Sequence, residues 1–174
     1  MNGAMKILPV VLLTCAVALP SFAQDTKTNA PLKSTADITV QPSAAVITAP
    51  LVLTNGIISQ PDRTDLPEGG KAVYAFTITN AGNYLIKGIV NAPDEESNSF
   101  YVNVDAQPED PMMIWDIEVT NGFEERTVNW RGNGDPGSGE FPSKKFNLPV
   151  GNHRLIVMGR EPAQLKSISI VPTD

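Results

Sequence analysis

The chain has 174 residues, 41% of them apolar and 18% charged, with 13 Gly, 15 Pro, one Cys, one His and a formal charge of −6. These proportions exclude a disordered chain, a disulfide scaffold and a collagen-like repeat, and a lone His and Cys leave almost no material for a zinc site or a His-based triad. An acidic chain also lacks the basic patch that nucleic acid and anionic membranes require, so neither is an expected partner.

Residues 1–23 read as a signal peptide. Lys6 supplies the positive start, Ile7 to Leu19 forms a mostly apolar run, and Ser21-Phe22-Ala23 places small residues where a signal peptidase cuts, after Ala23. The run is too short to span a bilayer, so no membrane span is expected and the protein is read as secreted or periplasmic. Cleavage there would remove Lys6 and Cys15, leaving no cysteine and 12 basic against 19 acidic residues. Residues 24–45 are small and polar without sustained periodicity and read as a flexible spacer, either a tether or an ordinary chain terminus. Ile38–Val40 is compatible with a short strand within it.

From residue 46 to 174 the pattern is β throughout. Tyr74, Phe76 and Ile78 alternate with Val73, Ala75 and Thr77, and Tyr84, Ile86 and Val90 share a face. Phe100, Val102 and Val104 oppose Tyr101, Asn103 and Asp105, while Met113, Trp115, Ile117 and Val119 oppose Ile114, Asp116 and Glu118. Val128 with Trp130, Phe146 with Leu148, Leu155 with Val157, and Ile168 with Ile170 continue the series. Alternation of period two marks strands with one buried face. Turn chemistry separates the runs at Asn55-Gly56, Gly69-Gly70, Asn80 to Asn83, Ala92-Pro93-Asp94, Asn121-Gly122 and Val150-Gly151-Asn152, with the longest break between Arg131 and Pro142. Many short strands at such spacing, with no helical period, specify an all-β sandwich.

The second half carries ordered motifs: Asn91-Ala92-Pro93-Asp94, Ser97 to Val102, Val104-Asp105, Trp115, Trp130, Phe146-Asn147-Leu148, Gly151-Asn152-His153, Leu155 and Gly159-Arg160-Glu161. From about Ala49 to Val171 the chain resembles the galactose-binding-like jelly-roll sandwiches that serve as carbohydrate-binding modules in bacterial secreted proteins. The resemblance implies a jelly-roll β-sandwich and a sugar ligand of unspecified identity. Many such modules hold a structural calcium with an acidic pair on their first strand. Here Ala49-Pro50-Leu51-Val52-Leu53 has no acid, which leaves Asp94 and Glu96 of the acidic run Asp94-Glu95-Glu96 as weak calcium candidates, with Asp105, Asp110 and Asp116 elsewhere, and no cofactor as the expectation.

Sugar recognition combines aromatic rings that stack on the apolar pyranose face with planar polar groups that meet its hydroxyls. That chemistry makes Trp130, Trp115, Tyr101, Asn98, Asp105 and Arg160 the candidate ligand-binding residues. Each has a second reading. Trp115 shares a face with Met113 and Ile117 and fits the core as well as a binding wall, and Trp130 suits either role. Tyr101 either projects beside Asn103 and Asp105 or covers the sheet edge, and Arg160 either faces a ligand or pairs internally, for instance with Asp105. His153 reads as structural, and the loop 131–142 as a binding loop or simply a mobile one. No nucleophile or metalloprotease motif is present, and one small sandwich layer pair gives little cleft depth for paired carboxylates. The expectation is a secreted, non-catalytic module that binds glycan or polysaccharide weakly and reversibly. The alternative is a structural or protein-interaction sandwich of the cell envelope, with a secreted or envelope protein as partner and no sugar ligand.

Overall fold

In a computed structural model, residues 37–131 and 142–174 are described. The signal-peptide reading, residues 24–36 of the spacer and most of the 131–142 loop lie outside them. The described residues form twelve strands and one 3-10 turn: β1 (Ile38–Val40), the turn (Pro42–Ala44), β2 (Val46–Thr48), β3 (Val52–Thr54), β4 (Ile57–Ser59), β5 (Lys71–Ile78), β6 (Gly82–Asn91), β7 (Ser99–Val104), β8 (Ile114–Asp116), β9 (Glu124–Thr127), β10 (Phe146–Leu148), β11 (Gly151–Gly159) and β12 (Gln164–Thr173). No helix among them is long and apolar enough to cross a membrane.

The strands build two antiparallel sheets. One runs β2-β5-β11-β7-β8. The other runs β10-β6-β12-β4-β3, with β9 also paired to β6 and β1 to β12. Both sheets feed one apolar core, and it is the core that the period-two alternation foretold. Tyr74, Phe76 and Ile78 of β5 and Phe100, Val102, Leu155 and Val157 of β7 and β11 enter it from one side. Tyr84, Ile86 and Val90 of β6 and Leu165, Ile168 and Ile170 of β12 enter it from the other.

Gly88 occupies the inward position of β6 between Ile86 and Val90 because the Trp115 ring lies there: a Cβ on Gly88 would sit 2.6 Å from the Trp115 Cη2. The hairpin between β3 and β4 turns on Asn55 and Gly56, at φ 51° and 78°. Two successive left-handed residues are what a tight two-residue hairpin needs, and Asn-Gly meets that at least steric cost.

Two expectations change. Residues 37–45, assigned by composition to the spacer, are partly built into the sandwich, through the short strand that Ile38–Val40 was compatible with: Ile38, Thr39 and Val40 pair with Ile170, Ser169 and Ile168 of β12. Apolar Ile38 and Val40 pack on the core, so local polarity around them was a poor guide. The strand expected over Met113 to Val119 is confined to Ile114–Asp116, where both faces are buried. Val119 beyond it is exposed.

Candidate functional site

The start of β7 and the turn between β11 and β12 meet at one end of the sandwich. A cleft of about 570 Å³ opens there, lined by Arg63, Asn98, Asp116, Arg131, Arg160 and Glu161 with Glu95, Ile117, Glu118 and Val119. Asn98 comes from the loop between β6 and β7, Arg160 and Glu161 from the β11–β12 turn, Asp116 from β8, and Arg63 from the long loop between β4 and β5.

Glu161 organises this end. Its carboxylate is buried and accepts from four donors: Arg160 Nη1 at 2.5 Å and Arg63 Nη1 at 3.2 Å on Oε1, and the Ser99 hydroxyl at 2.5 Å and the Asn98 backbone N–H at 3.3 Å on Oε2. Arg160 Nη1 also donates to Ser99 Oγ at 2.6 Å. A buried carboxylate is tolerable only with this degree of satisfaction. Beside it, Asp116 takes the Arg131 guanidinium as a fork, Nε at 2.8 Å and Nη2 at 2.5 Å. The Asn129 side chain bonds the Asp116 backbone in both directions, accepting its N–H at 2.9 Å and donating to its carbonyl at 2.7 Å. The result is a rim of guanidinium, amide and carboxylate groups around a solvent-open cleft, with Arg160, Glu161 and Asp116 held by their mutual bonds. These groups can meet hydroxyls of a bound ligand from several directions.

Of the six candidates, Asn98 and Arg160 are brought together here. Arg160 pairs internally, but with Glu161 and Ser99 rather than with Asp105, because Asp105 lies at the other end of β7. Asp105 instead binds His153: Oδ2 is 2.7 Å from Nδ1, and Oδ1 accepts the Arg154 N–H at 2.8 Å. His153 is buried, its Nε2 lies 2.9 Å from the Pro149 carbonyl, and its ring leans on Phe76. Burial opposes charge on this imidazole, but the bond to Asp105, the Pro149 carbonyl and the Asp105 charge together hold it above its ordinary value. The same pairing outweighs burial at Asp105 and holds that carboxyl below its ordinary value. His153 is therefore structural, as its sequence context implied.

The aromatic candidates do not line the cleft. Trp115 is only 1% exposed, with its ring on Phe100 at 6.1 Å and its indole N–H donating to the Thr127 carbonyl at 3.1 Å. Tyr101, for which the sequence left open projecting to solvent or covering the sheet, is 2% exposed. It joins Ile114, Ile156 and Met158 in a second apolar cluster on the outer side of its sheet, against which Leu66 of the β4–β5 loop packs. Burial first, and then the charge of Asp110, raises its phenol above the ordinary value, against the pull of Arg160. Trp130 is half-buried. Its N–H donates to the Val102 carbonyl at 2.8 Å, Phe146 meets it edge-on at 5.6 Å, and the Lys144 ammonium sits 4.1 Å from its ring centre.

Asp94 and Glu96 are exposed in the β6–β7 loop, where Asp94 Oδ1 accepts the Glu96 backbone N–H at 3.1 Å. Among the described residues no three His, Cys, Asp or Glu side chains converge as metal ligands.

Sequence reasoning missed Glu161, Ser99 and Arg63, weighed Asp116 only as a calcium ligand, and met Arg131 only as the start of the 131–142 loop. The Arg160-Glu161-Pro162 turn carried a signal for Glu161 that was assigned only to its neighbour. The others come together through tertiary contacts alone.

No protein-family model and no curated protein matches the chain. Solved structures do. The family 35 carbohydrate-binding module from Clostridium thermocellum is similar at 11% identity and a TM-score of 0.57, over 79% of this chain and 99% of that one. The C-terminal family 6 module of LamC, a marine laminarinase from Zobellia galactanivorans, is similar at 12% identity and 0.54, over 78% and 99%. The Podospora anserina β-(1,4)-mannanase of the GH26-CBM35 type matches at 9% identity and 0.58 over 80% of this chain, which spans only 28% of that enzyme. At such identities the likeness speaks for the fold alone: this chain is an all-β sandwich with the fold of the carbohydrate-binding modules.

Proposed function

We propose that the protein is an exported, non-catalytic module that binds carbohydrate at the cleft between Asn98, Arg63 and Arg160. The observation that carries this reading is the convergence of planar polar groups on an open rim of a sandwich with the fold of carbohydrate-binding modules. Because Trp115 and Tyr101 are buried, recognition would rest on hydrogen bonds from amide, guanidinium and carboxylate groups, with Ile117 and Val119 as the apolar part of the wall. Such a site gives weak, reversible binding, since each polar contact contributes only about 1 kcal/mol net of water. The solved structures matched over nearly their whole length are carbohydrate-binding modules, which supports a role without catalysis.

The burial of Trp115 and Tyr101 also favours a second reading, a sandwich that binds a protein partner and no sugar. Retention of the purified protein on a panel of immobilised polysaccharides, with and without calcium, separates the two. Specific retention supports the carbohydrate reading. A well-folded protein retained by none of the panel counts against it and in favour of a protein partner.

A further inference from the structure

The edges of the two sheets are guarded unequally. β8 ends its sheet, and the Asn129 side chain covers its backbone by bonding the Asp116 N–H and carbonyl as a neighbouring strand would. On the other sheet, β9 carries Glu124, Glu125 and Arg126, charges that discourage strand addition. At the opposite side of the sandwich, the terminal strands are β2 in one sheet and β3 in the other. Among the described residues neither has such a guard. From Ile38 to Pro61 the chain contains no ionisable side chain, and the strands present Val46, Val52 and Leu53 at 71%, 47% and 40% exposure.

The backbone of β3 is arranged for a partner. Val52, Leu53 and Thr54 face Ser59, Ile58 and Ile57 of β4 across the two-residue Asn55-Gly56 turn. In a hairpin of this length the pair next to the turn, Thr54 and Ile57, exchanges hydrogen bonds, so alternation turns the Leu53 N–H and carbonyl toward the open edge. No further backbone partner of Leu53 occurs among the described residues.

We propose that β3 pairs with β3 of a second copy, antiparallel about a twofold axis at Leu53, joining the two larger sheets. In that arrangement each Leu53 exchanges its N–H and carbonyl with the other, and Val52 of one copy faces Thr54 of the other. A second copy is the favoured occupant because of charge. A chain of net charge −6 repels itself over most of its surface, and the charge-free run along β1 to β4 is where two copies approach without that penalty. The ladder is short, so the association is weak and concentration-dependent.

Sedimentation velocity over a wide concentration range tests this with the wild type, Leu53→Lys, Leu53→Glu and, as a control, Val150→Lys at another exposed apolar site. The expected result is a wild-type and Val150→Lys mass that rises toward two chains. Each Leu53 variant alone associates at least roughly tenfold more weakly, because like charges meet across the twofold. An equimolar mixture of the two variants regains association, since only a symmetric contact sets residue 53 opposite itself. A wild type that stays monomeric overturns the proposal. So does a dimer indifferent to both variants, or a mixture that fails to regain association. Circular dichroism on each variant excludes misfolding as the cause. Polysaccharide retention reads a different surface and stands or falls separately.

Discussion

His153 and Asp105 form a hydrogen-bonded pair at 2.7 Å in which the imidazole is buried and the carboxylate is half exposed. The pair ties the start of β11 to the end of β7, where Asp105 takes a left-handed conformation at φ 63°. With the Pro149 carbonyl on its other nitrogen, the ring has acceptors on both sides, which is the environment of an imidazolium.

A pH dependence of stability follows. His153 is raised from 6.5, so its contribution is complete below that value and is lost as pH climbs through the raised one. Asp105 is lowered from 3.8, so its contribution is complete above that value and is lost as pH falls through the lowered one. The pair therefore stabilises most between pH 3.8 and 6.5. Thermal midpoints should decline from the acid side of neutrality toward alkaline pH, and His153→Gln should flatten that decline. An unchanged slope in the variant would show the pair to be energetically idle.

Gly88→Ala should destabilise the fold by about 1–3 kcal/mol. The added methyl meets Trp115 at 2.6 Å and Leu165 at 3.1 Å, and neither buried side chain has room to withdraw. Urea titration gives the value directly, and a loss below the measurement error would mean that the Trp115 ring is free to move.

Tyr74→Phe is expected to be neutral or to stabilise by up to about 1 kcal/mol. The Tyr74 hydroxyl is buried without a hydrogen-bond partner among the described residues, and burial pushes its ionisation far above the ordinary tyrosine value. Removing the oxygen spares its desolvation while the ring stays packed. A clear loss of stability would reveal a partner for the hydroxyl, such as a buried water.

Asn129→Ala should cost about 2–4 kcal/mol, because it strips partners from both the N–H and the carbonyl of buried Asp116. Glu161→Gln should cost about 3–5 kcal/mol, since it leaves Arg160 buried beside a neutral group. Chemical denaturation tests both. The second variant should also disturb the cleft, because Glu161 holds Asn98, Ser99, Arg63 and Arg160 together.

The fold was legible because the signal for it is local. Tyr74, Phe76 and Ile78 sit at every second position, and an interior face needs no more than that. Asn55-Gly56 likewise announces its own hairpin. The site was legible only in part. Tyr101 lies on the outer face that alternation assigned to it, yet it is covered by Leu66 from a loop whose path no local pattern encodes. Trp115 fitted both readings until the missing side chain of Gly88, remote in sequence, made room for its ring. Asn98 and Arg160 were readable as planar polar groups near turns, but the carboxylate that unites them is identified only by its four donors.

The most direct test is a binding titration on the polysaccharide that retains the wild type best, comparing it with Asn98→Ala, Arg63→Ala and the distant control Asn152→Ala. If the cleft between Asn98 and Arg160 is the carbohydrate site, the first two variants should bind at least roughly tenfold more weakly while Asn152→Ala matches the wild type. Affinity unchanged in both cleft variants, or lost only in Asn152→Ala, would contradict the account.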